Sequence, residues 1–105
     1  VQKIASANDF EKGFDKPSVL EKAIDMKAEI AVIVARNESG EVKAFPPVGM
    51  EFHPEANLVE FLFAPAEISE QIAKEAEEIA IHVIQSLKLT GILAVEMFVD
   101  KNNTI

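Results

Sequence analysis

The chain has 105 residues, enough for one small domain, and 49% of them are hydrophobic, which supports a packed core and excludes a disordered tail. Its net charge is −8, and its 10 Lys and Arg are scattered, so no basic stripe exists to neutralise a nucleic-acid backbone; a small anionic ligand in a locally positive pocket stays open. There is no cysteine, which removes disulfides, thiolate metal sites and a thiol nucleophile and fits a reducing compartment such as the cytoplasm. No apolar run approaches the ~20 residues of a membrane span, and the N-terminus lacks a signal-peptide pattern.

In chain order, residues 1–4 read as a short extended segment, followed by a short helix through Phe10 to Lys12, capped by Ser6 or Asn8 and stopped by Gly13. Ser18 to Ile24 is a candidate strand, and Glu29 to Arg36 a stronger one because it is rich in β-branched residues. Asn37-Glu38-Ser39-Gly40 supplies turn chemistry, so Glu41 to Phe45 should return as the second arm of a hairpin. Pro46-Pro47 interrupts that ladder, His53 to Asn57 is a further turn, and Leu58 to Phe63 is another strand, ended by Pro65. Ser69 then caps a helix of about 18 residues, some 27 Å long. Its apolar stripe runs through Ile68, Ile72, Ala76, Ile79, Val83 and Leu87, widened by Ala80 and Ile84. Gly91 to Asp100 is the last strand, and Asp100-Lys101-Asn102-Asn103 is hairpin-turn material with only two residues after it. That ending, and Val1 at the start, lead to the expectation of a single partial domain over residues 1–105, cut at both ends. The fold class is α+β: a mainly antiparallel sheet covered by one long helix.

Alternation along the strands singles out the carboxylates that break the pattern. In the last strand Ile92, Ala94, Glu96 and Phe98 share one face, and Leu93, Val95, Met97 and Val99 the other. Both faces are apolar, so the strand should be central and covered on both sides. Glu96 would then be a carboxylate in apolar surroundings, needing a metal, a cation or a donor; a buried salt bridge answers the pattern equally well. Glu29, at the start of its strand on a face with Ala31, Ile33 and Ala35, reads as a solvated carboxylate or a ligand contact. Glu60 fits an edge strand with one wet face, and Glu21 lies where alternation is too loose to assign. His82 flanks the helix stripe, while His53 sits in a turn with no metal-ligand spacing around it. Neither a glycine-rich phosphate loop nor a nucleophile elbow occurs.

Glu21-Lys22-Ala23 with its flanks (LEKAID), Glu29 to Asn37 (EIAVIVARN), Ala64-Pro65-Ala66 before the long helix, and Gly91 to Val99 (GILAVEMFV) together carry a likeness. The chain resembles, over essentially its whole length, the ATP-grasp domain of the N5-carboxyaminoimidazole ribonucleotide synthase family, the ATPase subunit of phosphoribosylaminoimidazole carboxylase. The resemblance implies an ATP-dependent carbon–nitrogen ligase of purine biosynthesis that carboxylates aminoimidazole ribonucleotide with bicarbonate, using ATP and Mg²⁺, in a homodimer. It assigns Glu21, Lys22 and Ala23 to the hinge whose backbone bonds the adenine edge, so that side-chain identity matters little there. Glu29 would take the ribose hydroxyls. Phe98 would pack near the adenine, and Glu96 would be one of two acidic Mg²⁺ ligands. The family's glycine-rich loop with its Lys, its second metal-binding Glu with an Asn beside it, and its substrate loop are not in this segment, so ligase activity is not expected of these residues alone. Residues 48–57 depart from the family pattern, being longer and without its glycine-containing turn, and carry no role over to His53; Arg36 and Glu60 receive none either.

Two other readings compete. A formate-dependent glycinamide ribonucleotide transformylase shares the same lobe, and Pro47-Val48-Gly49 is similar to it, though the Ala35-Arg36-Asn37 strand ending favours the first family. A non-enzymatic α+β interaction module would leave Glu29 and Glu96 solvated or salt-bridged and apart from any common cleft.

Overall fold

The computed structural model describes residues 2–53 and 58–105; of the expected turn at residues 53–57, all but His53 lies outside them. A 3-10 helix, Ala7–Lys12, comes first, closed by Gly13 on the Phe10 carbonyl as its sequence indicates; Ser6 precedes it without a side-chain cap bond, and Asn8 lies within it. Among the described residues five strands follow: β1 (Met26–Arg36), β2 (Val42–Ala44), β3 (Val48–Phe52), β4 (Val59–Phe63) and β5 (Gly91–Asp100). A single α-helix, α1 (Glu70–Ser86), lies between β4 and β5.

β1 is the axis of an antiparallel sheet. β5 pairs along one edge of it, from Met26↔Asp100 to Arg36↔Gly91. β2 and β3 share its other edge in succession, with Val34↔Ala44 in one ladder and Ala31↔Val48 in the next. Pro46-Pro47 stands where the return arm breaks in two, because proline has no N–H to give the ladder. β4 continues outward from β3, with Gly49↔Phe63 in register. The β1–β2 hairpin is closed as its composition predicts. Gly40 adopts φ +90, its N–H bonds the Asn37 carbonyl at 3.1 Å, and the Asn37 side chain accepts from the Glu41 N–H at 2.9 Å.

Ser69 caps α1, its Oγ accepting the Ile72 N–H at 3.3 Å. The buried line of the helix is Ile72, Ala76, Ala80 and Ile84; Ile79 and Val83 are half-buried and Leu87 is exposed, so the stripe is centred one row away from the one read by spacing. This line packs on Ile30, Val32 and Val34 of β1 and Met97 and Val99 of β5 to form the core. Two alanines in the line let the helix sit close to the sheet. Arg36 fastens the far end, its guanidinium donating to the Leu89 carbonyl at 3.4 Å and to Thr90 Oγ1 at 3.4 Å, where Lys88 and Gly91 turn the chain through positive φ.

Three expectations are corrected. Ser18 to Ile24 is not a strand: it is exposed and joins no ladder among the described residues. β3 exists where the sequence reading saw no strand; Pro46-Pro47 and Gly49 hid a five-residue run. β5 is covered by α1 on one face only and, among the described residues, pairs with β1 alone, so it is not central. The apolar residues Ile92, Ala94 and Phe98 stand on an open face.

Candidate functional site

The open face of the sheet gathers the side chains singled out by sequence. Glu29 on β1 stands opposite Phe98 on β5, and Ala31 stands opposite Glu96. Paired residues share a face, so Glu29 and Glu96 are diagonal neighbours, about 7–8 Å apart at the backbone. On the other side of Glu29 lies Met50 of β3, giving a row Phe98–Glu29–Met50 across three strands. Glu96 is exposed, not enclosed in apolar surroundings, because no second layer covers this face; the burial expected for it is overturned, and no ion pair among the described residues engages it. Glu29 is half-buried, and its carboxyl is pushed above the usual glutamate range, first by partial desolvation and then by repulsion from Glu96.

Glu21, Lys22 and Ala23 lie on the unladdered strap that precedes β1. Together with Phe98 they line one cleft of about 830 Å³, whose walls also include Ile24, Met26, Phe10 and Phe14. The backbone of residues 21–23 joins no helix or ladder, which leaves N–H and C=O groups to meet a flat polar edge, and Phe98 offers the apolar surface beside it. Phe98 also borders a smaller cleft of about 410 Å³ that contains Glu96. One aromatic ring thus joins the strap to the carboxylate pair.

Of the six sequence-derived residues, Glu21, Lys22, Ala23 and Phe98 line the larger cleft, Phe98 and Glu96 the smaller one, and Glu29 stands beside Phe98 on the same face without lining either. His82 is exposed on the helix, Glu60 is exposed on the edge strand β4, and His53 donates its backbone N–H to the Leu58 carbonyl at 2.9 Å. Among the described residues no group of three or more His, Cys, Asp or Glu could hold a metal ion unaided. Sequence reading missed Met26. From Glu29, strict alternation would send it to the helix side; a bulge between Met26 and Ala28 brings it round to the cleft, and nothing in the residues announces a bulge.

A β-sheet with carboxylates at the start of one strand and the middle of its neighbour, beside an exposed strap, suits a nucleotide-binding lobe, and the ATP-grasp domain family matches residues 1–105. The chain belongs to the ATP-grasp family. This ATP-grasp chain is 38% identical over 91 residues to phosphoribosylaminoimidazole carboxylase of Candida albicans, covering 87% of the chain and 16% of that protein. It superposes on N5-carboxyaminoimidazole ribonucleotide synthetase of Thermotoga maritima with a TM-score of 0.81 at 35% identity, covering 94% of this chain and 25% of that one. N5-carboxyaminoimidazole synthase of Aspergillus clavatus, solved with ADP and 5-aminoimidazole ribonucleotide, gives 0.69 at 28% identity over 79% of this chain and 22% of that one. The chain therefore spans a quarter or less of the length of these relatives. No described helix is long and apolar enough to cross a membrane.

Proposed function

We propose that this chain forms the adenosine- and metal-binding side of an ATP-dependent carbon–nitrogen ligase that carboxylates aminoimidazole ribonucleotide with bicarbonate, releasing ADP and phosphate. The observation that carries the reading is the β1–β5 register, which sets Glu29, Glu96 and Phe98 on one face beside the Glu21–Ala23 strap. Backbone groups of Glu21, Lys22 and Ala23 meet the adenine edge, and Phe98 packs against the ring. Glu29, partly desolvated, accepts from the ribose hydroxyls. The relatives named above support the choice of reaction, and the Aspergillus protein's ADP and aminoimidazole ribonucleotide support the choice of ligands.

The exposed carboxylate of Glu96 suits a hard cation such as Mg²⁺, which takes one or two carboxylates and fills its shell with phosphate oxygens and water. When bound, Mg²⁺ neutralises charge on the transferring phosphoryl group. The chain's own contribution is positional: Phe98 and the strap fix the base, Glu29 fixes the sugar, and Glu96 offers its oxygens one row further along the sheet. A cytoplasmic homodimer completes the proposal.

The test is ADP release by the complete protein with Mg-ATP and bicarbonate, with and without aminoimidazole ribonucleotide. Strong stimulation by that nucleotide is expected. Turnover with glycinamide ribonucleotide and formate instead would transfer the site to the transformylase reaction, and no turnover under either condition would remove the catalytic reading.

A further inference from the structure

We infer that the Asp100–Thr104 turn is a clamp that holds the Glu21–Ala23 strap against Phe98, with Lys101 and Asn103 as positioning residues for nucleotide binding. This rests on the nucleotide-binding reading of the cleft. Recognition of a base edge by backbone groups needs a backbone held in place before the ligand arrives. The strap cannot supply that itself: residues 14–25 belong to no helix or strand and all are exposed.

The turn is rigid in its own right. The Asp100 carboxylate accepts the Asn102 N–H at 2.8 Å and the Thr104 N–H at 2.9 Å, and the Asp100 N–H bonds the Thr104 carbonyl at 2.9 Å. Asn103 takes φ +60 at its tip. Two contacts then reach from the turn to the last residue of the strap, and a third to the start of β1 beside it. The Lys101 N–H donates to the Asp25 carbonyl at 3.3 Å, and Lys101 Nζ pairs with Asp25 Oδ1 at 2.7 Å. Lys27 Nζ donates to Asn103 Oδ1 at 2.6 Å. Lys27 is the extra residue of the bulge that swings Met26 into the cleft, so the third contact holds the side chain that the bulge turns away. Asp100 ends the strand that carries Phe98 and Glu96. The clamp therefore ties the strap to that strand without touching the core. Its ion pair is exposed, which limits it to a local, modest effect.

The experiment measures ADP binding to the complete protein by calorimetry, together with thermal unfolding and amide hydrogen exchange without nucleotide. Lys101→Met, and Asn103→Gly, which removes the side chain while keeping positive φ accessible, should each raise the Kd for ADP by about two- to five-fold. Exchange at the amide of residue 101, whose N–H bonds the Asp25 carbonyl, should quicken while β1 and α1 stay protected, and the KM for ATP should rise with kcat unchanged. The swapped pair Asp25→Lys with Lys101→Asp should recover part of the loss. Unchanged ADP affinity in both single variants, with Phe98→Ala weakening binding, would refute the clamp and leave the site intact. Faster exchange across β1 and α1 as well would make the turn merely structural. ADP affinity indifferent to both Phe98→Ala and Glu29→Ala would remove the site and the clamp with it.

Discussion

Glu29 and Glu96 stand on the same face with no ion pair to either among the described residues, and Glu29, the more buried of the two, carries the cost in stability. For Glu29 the sign of the pH effect follows from its raised pKa, caused first by desolvation and then by Glu96. A carboxyl whose folded pKa lies above its unfolded value favours folding while protonated. Its contribution is complete below the ordinary glutamate range and is lost as pH rises through the higher folded value. Glu29→Gln should therefore raise Tm at pH 7 and leave it unchanged near pH 4, a comparison two melting curves settle. Glu96→Gln should raise the unliganded Tm at pH 7 by less than Glu29→Gln does, since it relieves only the second cause of the Glu29 shift, yet lower Mg²⁺-dependent affinity for ADP by more than about tenfold, because even outer-shell partners of a metal are worth that much. Titration with ADP at fixed Mg²⁺, and again with EDTA, separates the two contributions. Glu96 was legible in the sequence because it breaks an apolar alternation. What alternation could not say was whether a second layer covered the strand, so the same anomaly read as a buried charge when it is an open one.

At the scale of elements, β1, the β1–β2 hairpin, β4, α1 and β5 could all be read from the chain, since each has local chemistry: β-branched runs, an Asn-to-Gly turn, a Ser cap and a spacing of three and four. β3 could not, because its neighbours are prolines and its partner is distant in sequence. The Ser18–Ile24 expectation failed for a related reason. Branched side chains favour extended backbone, but a ladder needs a partner strand brought alongside, and strand propensity read along one segment does not report that partner. The N-cap of α1 illustrates a feature that is fully local. Ser69 Oγ meets the Ile72 N–H, and Ile72 opens the buried line of the helix, so the cap fixes where that line begins. Ser69→Ala should cost about 1 kcal/mol, read as a shift of the urea midpoint at constant m. A loss within error would mean that water replaces the hydroxyl.

The whole molecule is more extended than its length requires. Its radius of gyration is 16.1 Å, against about 13 Å for a compact chain of this size. The core lies between α1 and the β1–β5 ladder, while the strap and the β3–β4 hairpin project from it with Val19, Leu20, Phe61 and Leu62 exposed. The core and the proposed ligand site thus occupy opposite faces of the same two strands. Ile84 is fully buried on the helix side, so Ile84→Ala should cost about 2–5 kcal/mol in urea or thermal unfolding, a large part of the ~5–15 kcal/mol available to a domain. No side chain of the cleft contributes to that core except through β1 and β5 themselves. The variant should therefore bind ADP with the parent's Kd wherever it is folded, and its apparent affinity should fall only by the folded fraction. ADP titrations at several temperatures, corrected with the unfolding curve, test this directly. An intrinsic Kd that worsens at temperatures where the variant is fully folded would show that helix packing sets the β1–β5 register, and with it the spacing of Glu29, Phe98 and Glu96.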